Sequence, residues 1–143
     1  MKKKLIFISI LTALFITGSG LYACEMNFSL FSPEGEQKIV PGKEVRLALG
    51  ETYSLTVQFI EDHRKCVTPP EETMYILQEE KWKISKDHLP LQLIALGDWV
   101  MESGDGWVQK IDFTPREKGT WNLEIIRDCP KGGYDEYLSF QVQ

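Results

Sequence analysis

Apolar and polar residues alternate in two runs near the C-terminus of this 143-residue chain. The run 120–127 reads TWNLEIIR and the run 136–142 reads EYLSFQV. In each run every second residue is apolar, and these alternate residues share one face of an extended chain. A period of two is typical of a β-strand with one buried face. Pro130 and two glycines lie between the runs, so the pair is predicted to form a β-hairpin with a long tip.

The same alternation predicts strands along most of the chain after residue 24. Turn residues separate these segments about every 8 to 12 residues, which is the spacing of all-β sandwiches and barrels. The stretch 78–88 is charged and fits either a short helix or an extended crossover, and Gly97 interrupts one long strand or divides two. We therefore predict an all-β antiparallel sandwich of about seven to nine strands. The earlier predicted strands are 25–31, 38–40, 45–49, 52–60, 73–77, 89–96, 99–102 and 107–114.

One segment resembles a known architecture. Phe113, Pro115, Gly119 and Trp121 stand at the spacing F-x-P-x-x-x-G-x-W, ahead of the alternating run. This spacing resembles the corner and sixth strand of immunoglobulin-like domains, where a glycine turns the chain and an aromatic residue packs two positions later. Here Trp121 replaces the usual tyrosine, and no cysteine stands in mid-strand. The resemblance implies a single immunoglobulin-like β-sandwich over residues 24–143.

The N-terminus has the features of an export signal. Three lysines at positions 2–4 precede the apolar run 5–16, which is shorter than the ~20 residues that a membrane span needs. We predict a signal peptide over residues 1–23. The sequence GLYAC at 20–24 resembles a bacterial lipobox, and this resemblance implies that Cys24 is the first mature residue and carries lipid. The alternative is ordinary cleavage after Ala23, which leaves Cys24 as a free or paired thiol.

These features predict an exported protein of the bacterial periplasm or outer surface, anchored in a membrane through Cys24. The formal net charge is −5, and removal of the three leader lysines leaves 13 basic against 21 acidic residues, a net charge of −8. A domain this acidic lacks the basic stripe that displaces counterions from phosphates. Nucleic acid is therefore excluded as an expected partner.

The chain has three cysteines, Cys24, Cys66 and Cys129. If Cys24 carries lipid, two remain to pair in an oxidising compartment. In an immunoglobulin-like sandwich the loops after the second and sixth strands emerge at one end, so the resemblance implies a Cys66–Cys129 disulfide. A bridge across so long a loop stabilises by roughly 4 kcal/mol in the chain-entropy treatment. Cys24 is expected at the same end, because the first strand runs antiparallel to the second.

Loops at one end of a rigid sandwich commonly hold binding residues. We therefore predict a non-catalytic binding or accessory domain that contacts an envelope protein or ligand through the Cys66/Cys129 end and needs no cofactor. The predicted binding residues are Asp62, His63, Arg64, Arg127, Asp128, Lys131, Tyr134 and Asp135.

A second hypothesis is a small periplasmic metal-binding or thiol-redox domain. Thiolate and imidazole ligands suit copper or zinc, and the candidate ligands are His63, Cys66, Cys129 and Cys24. The sequence has no Cys-x-x-Cys motif and no second histidine near the first, so this hypothesis ranks below binding. Catalysis ranks lower still, because His63 and Cys66 are the one possible nucleophilic pair and a disulfide would consume the thiol.

The four tryptophans are predicted to differ in their exposure to solvent. Trp121 is predicted to lie in the core. Trp99 and Trp107 flank a predicted hairpin tip and serve either cross-strand packing, which we favour, or an exposed contact. Trp82 stands between two lysines and is predicted to be exposed.

Overall fold

The computed structural model describes residues 24–61, 67–103, 106–130 and 132–143. These residues form eleven strands, more than the seven to nine predicted, because short pieces such as β6 pair over only two residues. The strands are β1 Cys24–Ser32, β2 Gly35–Ile39, β3 Glu44–Leu47, β4 Tyr53–Glu61, β5 Met74–Leu77, β6 Glu80–Lys81, β7 Leu91–Leu96, β8 Val100–Ser103, β9 Gly106–Pro115, β10 Gly119–Arg127 and β11 Tyr134–Val142.

The strands form two sheets. The first sheet has the order β2-β1-β4-β9-β7, with β8 paired beside β7 along β9. The second has the order β3-β11-β10-β5-β6. Every pairing is antiparallel except that of β3 with β11, which is parallel. The prediction of an all-β sandwich is confirmed, and the predicted hairpin is β10–β11, paired from Gly119↔Val142 to Arg127↔Tyr134.

In the described part of the chain, one 3-10 turn at Pro70–Glu72 is the sole helical segment. No helix there has the length and apolar character to cross a membrane.

The core fills the space between the two sheets. Alternate residues of β1, β4, β9, β10 and β11 point inward, which is the pattern that the period of two predicts. Phe113 of β9 lies near the centre, with ring centroids 5.9 Å from Tyr53, 5.5 Å from Trp82 and 5.7 Å from Phe140. Trp99 and Trp107 are partly buried against this core, which agrees with a packing role.

A tight corner precedes β10. Gly119 has φ +138°, and a Cβ at this position would lie 3.1 Å from the indole of Trp121. Trp121 is partly buried against the core, and its Nε1 donates a hydrogen bond to the carbonyl of Glu117 at 3.0 Å.

The prediction that Trp82 is exposed is wrong. Its side chain is only 4% exposed, and its Nε1 donates to the Leu91 carbonyl at 2.6 Å. The cause is a two-residue turn at Gln78 and Glu79, both with positive φ, which connects β5 directly to β6. This turn reverses the chain at once, so Trp82 lies on the core side and its flanking lysines face solvent.

Candidate binding site at the loop pole

One end of the sandwich gathers the loops that the sequence singled out. We define the loop pole as the described residues 67–73, 128–130 and 132–135. In the first sheet Cys24 pairs with Glu61, so β1 begins where β4 ends. In the second sheet β10 ends and β11 begins at this same pole. The hydroxyl of Thr68 donates to the carbonyl of Asp128 at 3.0 Å, which joins the segment after β4 to the segment after β10.

The two loops therefore lie together, as the proposed disulfide requires. Cys129 is buried, with 5% of its surface exposed. Cys66 lies outside the described residues, so the Cys66–Cys129 bridge stays a prediction. The backbone of Cys24 is at the same pole through its pairing with Glu61.

Arg127 holds the loop pole from inside. Its side chain is 1% exposed, and its guanidinium carbon lies 3.9 Å from the centre of the Phe59 ring. This is a cation–π contact in a desolvated setting. The guanidinium also donates four hydrogen bonds to the loop after β4, to the carbonyls of Thr68 (2.8 Å), Pro69 (3.2 Å) and Pro70 (3.3 Å) and to Oγ1 of Thr73 (2.8 Å).

The position of Arg127 changes its expected role. It was predicted as a ligand-binding residue, but its charged group is turned inward onto the loop backbone. Arginine suits this task because its planar fork presents several donors at fixed angles. The sequence contained a signal for this placement, since Arg127 has the same parity along β10 as the inward residues Leu123 and Ile125.

An open groove of about 500 Å³ lies beside this anchored loop. We call it the pole groove, and it contains four of the predicted binding residues, Arg127, Asp128, Tyr134 and Asp135. The residues that line it are Met74, Ile126, Arg127, Asp128, Gly133, Tyr134, Asp135 and Glu136. Met74 and Ile126, which no pattern in the sequence indicated, are cross-strand neighbours on β5 and β10 and form the apolar wall of the groove.

Tyr134 and the acidic residues set the chemistry of the pole groove. The Tyr134 ring lies 6.1 Å from the ring of Phe28. Burial, and then the charge of Glu136, raises the pKa of the Tyr134 hydroxyl well above its ordinary value. A tyrosine hydroxyl is protonated at neutral pH and can donate a hydrogen bond, while Asp128 and Asp135 are exposed acceptors. Together these groups suit a ligand that is cationic or rich in hydroxyl groups.

The remaining predicted residues, Asp62, His63, Arg64 and Lys131, lie outside the described part of the chain and stay predictions. The same holds for a metal site built on His63 and Cys66. Among the described residues, no group of three or more histidine, cysteine, aspartate or glutamate side chains is placed to hold a metal ion.

The chain matches no protein-family profile, and no curated protein resembles it in sequence. Among solved structures, the solution structure of amebosin is similar, with 13% identical residues and a TM-score of 0.39. The alignment covers 72% of this chain and 90% of amebosin. A likeness at this level carries no argument about ligand or activity.

Proposed function

We propose that this protein is an exported, lipid-anchored, non-catalytic binding module of the bacterial envelope that contacts its partner through the pole groove. Strand order supports the immunoglobulin-like assignment. The orders β1-β4-β9-β7 and β5-β10-β11 correspond to strands A-B-E-D and C-F-G of immunoglobulin domains. The hydrogen bond from Trp121 to the Glu117 carbonyl also resembles the corner of immunoglobulin domains, where a tyrosine bonds back to the backbone just upstream.

The observation that carries the proposal is the anchoring of the loop after β4 by Arg127. Arg127 also lines the pole groove, and its four hydrogen bonds to that loop fix its side chain in the folded chain, before a partner arrives. Ordering a loop during binding costs affinity, and a preorganised loop avoids that cost. A fixed loop beside an open groove is the arrangement expected of a binding surface on a rigid scaffold.

The charges of the pole groove indicate the partner. Asp128, Asp135 and Glu136 contribute carboxylates, and among the described lining residues the sole cation is Arg127, whose fork is occupied by the loop backbone. A basic segment of an envelope protein complements this surface. Like-charge repulsion disfavours acidic partners, and the phenol of Tyr134 adds a neutral donor.

The position of Cys24 limits where that partner resides. Cys24 is the first residue of β1 and pairs with Glu61, so no linker separates it from the loop pole. Lipid on Cys24 would hold the pole groove directly at the bilayer surface. The partner is therefore expected to expose its basic segment at the membrane surface rather than far above it.

Site-specific photo-cross-linking in intact cells tests the proposal. A photo-reactive phenylalanine analogue at Asp135 is expected to give a discrete adduct with an envelope protein, and Asp128→Asn is expected to weaken that adduct. The matched control is the same analogue at Asn122, an exposed position near the other end of β10. Equal adducts from both positions, or none from position 135, would contradict binding at the pole groove.

A further inference from the structure

The outward face of the first sheet carries a second groove, whose lining residues differ from those of the pole groove. Strand pairing aligns its side chains in rows across four strands. One row runs Lys38, Ser29, Thr56 and Lys110 from β2 to β9. The next row places Asn27 beside Gln58. The groove has a volume of about 680 Å³, and we call it the sheet groove.

The polar groups of the sheet groove have unused hydrogen-bonding capacity. Within the described residues, Ser29, Gln58, Lys38 and Lys110 make no side-chain hydrogen bond or ion pair. Asn27 makes one, from Nδ2 to Glu25 at 3.0 Å. On most protein surfaces such groups bond to water and signify nothing. Here they converge on one concavity with donors and acceptors in adjacent rows, which is the arrangement of a site that recognises polar ligands.

Thr56 lies within the row of residues that crosses the sheet groove, between Ser29 and Lys110. Its Oγ1 is enclosed, and it has no hydrogen-bond partner among the described residues. An enclosed hydroxyl without a partner destabilises the folded state, because its lost hydrogen bonds to water are not replaced. Rotation about χ1 by one staggered position exchanges the hydroxyl with the methyl group. A ligand seated in the groove can therefore satisfy an oxygen that the folded chain leaves unpaired.

The charge balance selects the class of ligand. Lys38 and Lys110 line the sheet groove together with Glu25, Glu36 and Glu102, so both signs are present and neither dominates. A polyanion meets three carboxylates, and a purely apolar ligand would bury charges without compensation. A neutral chain rich in hydroxyl groups can bond to both the amines and the carboxylates.

We propose that the sheet groove binds an extended neutral oligosaccharide. Four adjacent strands span roughly 14 Å between the outer two, which accommodates an extended chain lying across them. Phe31 is 41% exposed at one end of the groove and offers a flat apolar ring to the C–H face of a sugar. Asn27 and Gln58 supply the paired donors and acceptors that sugar hydroxyls require.

Native electrophoresis in gels that contain soluble polysaccharide tests this proposal on residues 24–143, which include every described strand. The neutral probes are dextran, mannan, xylan and mixed-linkage β-glucan, and polygalacturonate is the anionic comparison. At least one neutral probe is expected to retard the protein. Gln58→Ala is expected to weaken that retardation about 2- to 10-fold, the range for one lost neutral hydrogen bond. Asn122→Ala, on the other sheet, is expected to leave retardation unchanged.

Thr56→Val provides the sharpest comparison, because valine keeps the shape and removes the unpaired hydroxyl. This variant is expected to raise the urea midpoint and to weaken retardation, a combination that a purely structural threonine would not give. The proposal would be overturned if none of the neutral probes retarded the protein, or if polygalacturonate alone did. It would also be overturned if Gln58→Ala and Thr56→Val were both retarded as strongly as the unaltered protein. Asp135 lines the pole groove and not the sheet groove, so Asp135→Ala is expected to be retarded as strongly as the unaltered protein. The two proposals can therefore fail independently of each other.

Discussion

Replacement of Arg127 by alanine removes a side chain that joins β10 to the loop after β4 by four hydrogen bonds. Two of its four hydrogen bonds, to Thr68 and Thr73, are 2.8 Å long, and the cation lies 3.9 Å from the Phe59 ring. The truncation would leave the carbonyl acceptors without their donors and open a cavity beneath the ring. We expect the loop to loosen and the whole domain to lose stability.

The expected loss of folding stability in Arg127→Ala is the balance of favourable contacts and an unfavourable desolvation. Each well-formed hydrogen bond to a charged group contributes about 1.5–3 kcal/mol, and a desolvated cation–π contact adds about 2 kcal/mol. The desolvation of the guanidinium opposes them by several kcal/mol, and its Nε has no partner among the described residues. Breaking a buried charged network of this kind typically costs about 3–5 kcal/mol, and we expect Arg127→Ala to fall in that range.

Urea unfolding measures this loss as a lower midpoint with an unchanged slope. Arg127→Lys keeps the charge but lacks the planar fork, so we expect an intermediate loss and faster amide exchange within 67–73. Arg46→Ala is the matched control, since Arg46 is exposed on β3 and should change stability by no more than about 0.5 kcal/mol. A loss below about 1 kcal/mol for Arg127→Ala would refute the claim that this residue holds the loop pole.

Three further predictions concern the rest of the fold. Gly119→Ala should destabilise by about 1–3 kcal/mol in thermal unfolding, because the new methyl group meets an indole at a positive φ. Gly42→Ala, also at positive φ but with open space around it, should cost less. Trp82→Phe should cost about 1–3 kcal/mol in urea unfolding, since the Leu91 carbonyl loses its buried donor; a neutral result would contradict the burial of that indole. Burial raises the pKa of Tyr75 above its ordinary value of 10.0, so the unfolded chain ionises first, and stability is full below pH 10 and falls as pH rises above it. The loss between about pH 9 and 11 should be smaller in Tyr75→Phe by up to about 1.4 kcal/mol per pH unit, and identical slopes would contradict the prediction.

Alternation along the chain was sufficient to predict the sandwich and the hairpin β10–β11. It was also sufficient to place Arg127 inward, because residues two apart on a strand share a face. Arg127 was instead predicted to bind a ligand, because it adjoins a loop at the Cys66/Cys129 end. Burial of an arginine depends on acceptors that a distant segment supplies, here the carbonyls of the loop after β4, and no local pattern reveals them.

Trp82 shows a second limit of sequence reasoning. The turn at Gln78 and Glu79 has positive φ at two residues that rarely adopt it, so neither glycine nor asparagine marked the reversal. The sheet groove shows a third limit. Its rows depend on the registers between β2, β1, β4 and β9, and alternation within single strands does not fix those registers.

The most direct test of the central claim, an anchored binding module whose cysteines are structural, is the intact mass of protein from the membrane fraction, alkylated with and without prior reduction. We predict a lipid increment on Cys24, no alkylation before reduction, and two labels after it, on Cys66 and Cys129. Lipid-free protein that takes up two or three labels without reduction would contradict the claim. In that case the cysteine thiols would be available, and the metal or redox hypothesis would replace the claim.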